Sequence, residues 1–167
     1  MRGEGFLAEN SKRLMSIFPP GQFWVFLTDL REPEDNSLQL AVAEVKTLRS
    51  REQTTGPSSS MVPIIITSDS RRFEFVWQNY VAYLVRNESF AQPDKERPPV
   101  VGAFLERKSS TFLRFLEETT FATAVMQRPM RHWEINCLNH CIDVVSFDEP
   151  IIREISDSED DILAKPH

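Results

Sequence analysis

A chain of 167 residues with 41% hydrophobic and 26% charged side chains has the length of one domain and the composition of a folded one, which excludes a disordered polypeptide. Of its 25 acids and 19 bases, seven acids and one base fall within 148–162, leaving eighteen of each elsewhere, so the whole net charge of −6 belongs to that stretch. A neutral body offers no positive field to collect phosphates, which argues against nucleic acid and anionic membrane as partners, and no apolar run reaches the roughly 18–20 residues that cross a bilayer.

Leu7, Leu14, Ile17 and Phe18 recur at near-helical spacing, which predicts a short amphipathic helix over 6–18, ended by Pro19-Pro20. Twelve Phe, three Trp and two Tyr then favour a sheet-rich core. Gln22 to Leu30 (QFWVFLTDL) reads as a buried strand and Arg31 to Ser37 as a loop. Leu38 to Leu48 carries two periods: Leu38, Leu40 and Val42 alternate as in a strand, while Ala41, Glu44, Val45 and Leu48 suit a helix. Strand is the reading adopted. Ser50 to Ser60 (SREQTTGPSSS) predicts a mobile loop. Val62 to Thr67, Arg72 to Trp77 and Tyr80 to Val85 follow as three strands of an antiparallel meander. Ser68 to Ser70 and Gln78-Asn79 are its turns, the second because asparagine tolerates positive φ; one longer strand through Gln78-Asn79 is the competing reading.

Arg86, Asn87 and Glu88 predict a polar network that fixes the charged, proline-rich loop from Gln92 to Pro99, with a ligand-binding role as the alternative. Val100 to Leu105 is another strand. Ser109 or Ser110 caps a helix that runs to about Ala124 with Phe112, Phe115, Leu116 and Thr119 as its apolar face, and Pro129 closes the connection. The pairs Arg71-Arg72 and Arg107-Lys108 read as solvated charges. Arg131 to Cys137 and Cys141 to Phe147 predict a hairpin. With Asn139-His140 as its two-residue loop, Ile135 faces Val144 and Trp133 faces Ser146. Trp133, Ile135, Cys137, Ile142 and Val144 then share a core face, and His132, Glu134, Asn136, Cys141, Asp143 and Val145 share the other.

The hairpin holds both cysteines, too few for a disulfide-stapled scaffold. Cys137 and Cys141 point to opposite faces in this register, so they cannot share one ion with His132 and His140, and a disulfide between them is disfavoured by the same geometry and by a reducing compartment; no metal and no cofactor are expected. No charged n-region precedes an apolar stretch, so a cytoplasmic protein is expected and the sequon Asn87-Glu88-Ser89 carries no weight. His132, Glu134, His140 and Asp143 are the candidates for acid–base chemistry, because a histidine beside carboxylates can move protons if it lines a cleft. The acidic residues Asp157, Glu159, Asp160 and Asp161 are the candidate contact for a basic protein partner.

The stretches NYVAYLVRNES (Asn79 to Ser89) and HWEINCLNHCIDVVSFDEPII (His132 to Ile152) resemble a group of small bacterial proteins of uncharacterised function. The resemblance covers the C-terminal half, with His132, Asn139, His140, Asp143 and Glu149-Pro150 as matching polar positions. It implies a bacterial, cytoplasmic, single-domain protein and carries no activity with it.

The sequence thus predicts an α+β domain over 1–156: a mostly antiparallel sheet of about six or seven strands, a main helix at 109–124, a short N-terminal helix and a flexible acidic tail at 157–167. No nucleophile elbow, Walker loop or dinucleotide fingerprint occurs. The expected function is a non-enzymatic protein-interaction or regulatory domain, with neutralisation of a basic toxin as one form of it. The alternative is an enzyme or small-molecule binder around the 132–143 hairpin. Homo-oligomerisation through an exposed strand is a further expectation.

Overall fold

A computed structural model describes residues 24–47, 63–92 and 102–156. The expected helix at 6–18, the loop at 50–60, most of the loop at 92–99 and the acidic residues Asp157, Glu159, Asp160 and Asp161 lie outside the described residues.

β1 (Val25–Glu34) and β2 (Ser37–Glu44) form a hairpin closed at the Glu34–Ser37 pair, with Asn36 at φ 61° in the turn. Asparagine reaches this left-handed backbone at small cost, so the chain reverses within two residues instead of the expected seven-residue loop. The ambiguous 38–48 stretch resolves as strand because Leu38, Leu40 and Val42 are all buried on one face of β2. β3 (Lys46–Thr47) and β4 (Ile64–Ile65) make a separate two-residue pairing, which is all that remains of the strand expected at 62–67.

β5 (Arg72–Gln78) and β6 (Tyr80–Asn87) flank Asn79, which has φ 57° as expected, but the two strands do not pair. β5 lies between β2 and the C-terminal strand β10 (Ile151–Ile155), whereas β6 belongs to a second sheet with β7 (Phe104–Arg107), β8 (Arg131–Asn136) and β9 (His140–Ser146). The expected meander is therefore corrected. The bend at Asn79 moves the chain from one sheet to the other, a corner of the kind that lets one extended stretch serve two layers.

The sheet orders are β1-β2-β5-β10 and β6-β9-β8-β7, antiparallel throughout. Phe73, Phe75, Trp77, Leu38, Leu40 and Val42 of the first sheet share one buried cluster with Trp133, Ile135, Ile142 and Val144 of the second. Aromatic rings span the layers: Phe75 and Phe104 have centroids 5.1 Å apart, and Phe104 stacks on Trp133 at 5.6 Å. The α+β class and the antiparallel character stand as expected, but the strands divide between two facing sheets instead of forming one.

Helix α1 (Thr111–Thr119) covers the outer face of the second sheet, burying Leu113 and Leu116 against Val145, Met130 and Phe147. Ser110 caps it, its hydroxyl accepting from the Leu113 N–H at 2.9 Å. The helix stops before Ala124 because Thr119 and Thr120 turn their hydroxyls back onto the Phe115 and Leu116 carbonyls, and Thr120 is extended. A short second helix, α2 (Ala122–Met126), ends at Gln127 with φ 52°, two residues before Pro129. The buried face is also corrected: Leu113 replaces Phe115, which is 54% exposed.

Candidate functional site

The β8–β9 hairpin keeps its expected faces but not its expected register. The Cys137 N–H bonds the His140 carbonyl at 2.8 Å, so the loop is Leu138-Asn139 and Ile135 pairs with Ile142. A slip of two residues preserves side-chain parity, which is why the face assignment survived the wrong loop. Cys137 lies in the inter-sheet core while Cys141 occupies the other face, half-buried. Burial pushes the Cys137 thiol up to about 12, and burial likewise raises Cys141, partly offset by the nearby Arg86 cation.

On the outer face, His132 and Glu134 from β8 and Asp143 from β9 come together beneath α1, all buried. Antiparallel pairing puts Glu134 directly opposite Asp143, and two neighbouring strands supply the cations that such a pair requires. From β7, Arg107 Nε donates to Glu134 Oε2 at 2.6 Å. From β6, Arg86 Nη2 donates to Asp143 Oδ2 at 2.7 Å. The other Asp143 oxygen lies 3.0 Å from His132 Nε2, and His132 Nδ1 lies 2.8 Å from Ser110 Oγ. With Nε2–H donating to the carboxylate, Nδ1 accepts from the Ser110 hydroxyl, and that same oxygen accepts from the Leu113 N–H. The helix cap, the imidazole and the carboxylate form one continuous chain.

A Ser–His–Asp order is the donor sequence of nucleophilic catalysis, so its geometry needs testing against that chemistry. Ser110 and His132 are only 6% and 3% exposed. The Ser110 oxygen that would attack a substrate is occupied by the Leu113 N–H. An open cleft of about 510 Å³ is bounded by Ser68, Asp69, Ser70, Arg71, Glu154, Ile155 and Ser156, and shares no residue with the network. What the arrangement can do directly is tie α1 to the sheet and neutralise two buried carboxylates.

Of the predicted candidates, His132, Glu134 and Asp143 are brought together and His140 is not. His140 begins β9 opposite Asn87, with side-chain parity that places it on the face away from Cys141 and Asp143; its Nδ1 is buried without a hydrogen-bond partner among the described residues. Among the described residues no group of three or more His, Cys, Asp or Glu side chains is placed to hold a metal ion, and no helix is long and apolar enough to cross a membrane. Arg107 corrects the sequence reading, for it is buried and paired, not solvated. Ser110 had a signal as a cap but none as a histidine partner. Arg86 and Asn87 behave as expected, with the Asn87 side chain accepting from Ser89 N–H at 3.0 Å and Arg86 reaching the Gln92 carbonyl at 3.4 Å.

Asn139 and Glu149 are also ties. Asn139 Oδ1 accepts from the Leu27 N–H at 3.0 Å and its Nδ2 donates to the Leu27 carbonyl at 3.1 Å. The amide thereby acts as one extra residue alongside β1, beside the irregularity between Leu27 and Asp29, and joins the tip of the hairpin to the opposite sheet. Glu149 accepts from Arg131 at 3.0 Å.

The other unusual surface is helical. Phe121 is 80% exposed, Val125 64% and Met126 42%, in addition to Phe115. Phe121 and Val125 are one turn apart, since the Val125 N–H bonds the Phe121 carbonyl at 3.1 Å. Comparison of the chain with protein-family models, curated proteins and solved structures gave no match.

Proposed function

We propose that the chain is a non-enzymatic protein-interaction domain, which regulates or neutralises its partner, and that α1 and α2 are its contact surface. The observation that carries this reading is the exposure of Phe115, Phe121, Val125 and Met126 within twelve residues. Isolated exposed apolar residues are ordinary, but several large ones on one short helical segment mark a surface that something else covers. Ser110, His132, Glu134 and Asp143 support the same reading from the opposite side, because they bond one another or Arg86 and Arg107 within the fold. The unbonded thiols on opposite faces fit the cytoplasmic, reducing location expected from the sequence.

The test compares wild type with Phe121→Ser/Val125→Ser by native mass spectrometry after purification from the native host. A stoichiometric protein retained by the wild type and lost by an equally folded variant is the expected result. A partner retained by the variant, or no partner for either, refutes the assignment. The enzyme reading keeps one observation in its favour, the Ser110–His132–Asp143 chain, and a fluorophosphonate probe decides it. Labelling of Ser110 in the native protein would establish a nucleophile; the sealed cap predicts none.

A further inference from the structure

α1 carries its charges in the opposite order from the one its dipole favours. The carbonyl end of a helix has a partial negative charge that cations relieve and carboxylates aggravate. α1 has no acid in its first turn and no base in its last, and Glu117 and Glu118 both lie in that last turn. Both are exposed, and neither is bonded to a cation among the described residues. Arg114, the one cation on α1, is already engaged within the chain. Arg128, just beyond α2, is taken by Asp148 through two bonds of 2.8 Å. Two carboxylates beside Phe115 and Phe121 therefore have no cation partner among the described residues, and they stand at the negative end of the helix.

On this basis, and resting on the interaction reading above, we infer that the partner of α1 and α2 is a protein surface with apolar anchors flanked by lysine or arginine. A second copy of this chain is the poorer occupant. A two-fold contact centred on Phe115 and Phe121 lies at the carboxyl end of α1, so it would bring the Glu117 and Glu118 carboxylates of both copies towards one another, and like charges in an interface oppose it. A basic surface relieves the field and covers the rings together. Charge complementarity of this kind acts mainly on encounter rate and partner choice, while the buried rings hold the complex.

The test uses the isotopically labelled full chain and two designed amphipathic helical peptides as probes, one of leucine and lysine and one of leucine and glutamate. The leucine–lysine peptide should shift the amide signals of residues 114–126 and bind several-fold more weakly when salt rises from about 50 to 300 mM, as screening shortens the reach of the charges. The leucine–glutamate peptide should leave those signals in place. Glu117→Lys/Glu118→Lys should weaken binding of the leucine–lysine peptide about tenfold, the scale of one modest charge contact on each side, and should raise Tm, because it corrects the helix end. Phe121→Ser/Val125→Ser should abolish binding. Equal binding of both peptides at 114–126 overturns the basic partner and leaves the contact surface intact. Shifts confined to 157–161, or binding by neither peptide, overturn the partner inference and count against the contact surface as well. A concentration-dependent dimer lost in the Phe121/Val125 variant assigns the surface to a second copy instead.

Discussion

Ser110→Ala tests the claim that the polar outer face is structural. Two losses follow from the geometry. The Leu113 N–H loses its cap, which costs about 1 kcal/mol. His132 Nδ1 loses the hydroxyl 2.8 Å away in a site where the ring is buried and water cannot replace it, which costs about 1–3 kcal/mol. Together they remove about 2–4 kcal/mol from a domain whose whole stability is on the order of 5–15 kcal/mol. Urea unfolding followed through the buried Trp77 and Trp133 reads this directly; with a slope of roughly 2 kcal/mol per molar, the midpoint should fall by about 1–2 M. Glycine at position 110 separates the terms, since it caps almost as well as serine but offers His132 nothing, so Ser110→Gly should fall between wild type and alanine. Combining Ser110→Ala with His132→Leu should cost at least about 1 kcal/mol less than the two singles added, because both remove the same bond. A midpoint change below about 0.5 M for Ser110→Ala, or strict additivity in the cycle, would refute the reasoning.

Three further outcomes follow from the same geometry. Asn139→Ala leaves the Leu27 N–H and carbonyl without their partners, so it should cost about 1–3 kcal/mol and speed hydrogen exchange at the Leu27 amide; Asn139→Asp, which keeps only the acceptor, should be intermediate. The Cys137 thiol holds its proton in the fold up to about 12, whereas in the unfolded chain it ionises from near its ordinary 9.0. Stability is therefore fully present below pH 9 and declines as pH rises towards 12, and in Cys137→Ala the fall in urea midpoint between pH 9 and 11 should be shallower than in wild type. Phe121→Ser/Val125→Ser should change stability by no more than about 0.5 kcal/mol, since both side chains already face solvent; a loss of about 2 kcal/mol would mean that they pack within the fold.

Much of the sheet was legible because alternation survives errors of detail. Trp133, Ile135, Ile142 and Val144 fell on the core face under the wrong loop, since a two-residue slip leaves every side chain on its original side. Asn79 announced its positive φ, but a turn-forming residue does not say whether the chain folds back on its own sheet or crosses to another. β10 was hidden by charge: Arg153 and Glu154 in the middle of IIREI read as part of an acidic end, although it pairs with β5 from Ile151 to Ile155. For the candidate site, sequence spacing joined His132, Glu134 and Asp143 because one hairpin supplies all three. It could not supply Arg107, Arg86 or Ser110, which arrive from β7, β6 and a helix cap through pairings that local periodicity does not encode.

The placement of polarity in this molecule is inverted relative to first expectation, and the inversion argues for where function lies. His132, Glu134, Asp143 and Arg107 are inside, each engaged by a neighbour, whereas Phe121 and Val125 are outside. A buried ionic network can be replaced by apolar residues with little loss in many proteins, so its presence is weak evidence for stability as such. Here it does something more specific: it fixes α1 over the second sheet through the cap residue, which sets the direction of the opposite helix face. Leu113 and Leu116 alone would hold α1 by non-directional contacts and allow it to roll. The bond from Ser110 to His132 pins the N-terminal end of the helix, whose opposite face carries the exposed Phe115. On this argument a variant that breaks the network but remains folded, such as Ser110→Ala at low temperature, should bind the partner proposed for α1 and α2 more weakly without any change in the contact residues. Unaltered affinity in that variant would separate the two surfaces and leave the network with a purely local role.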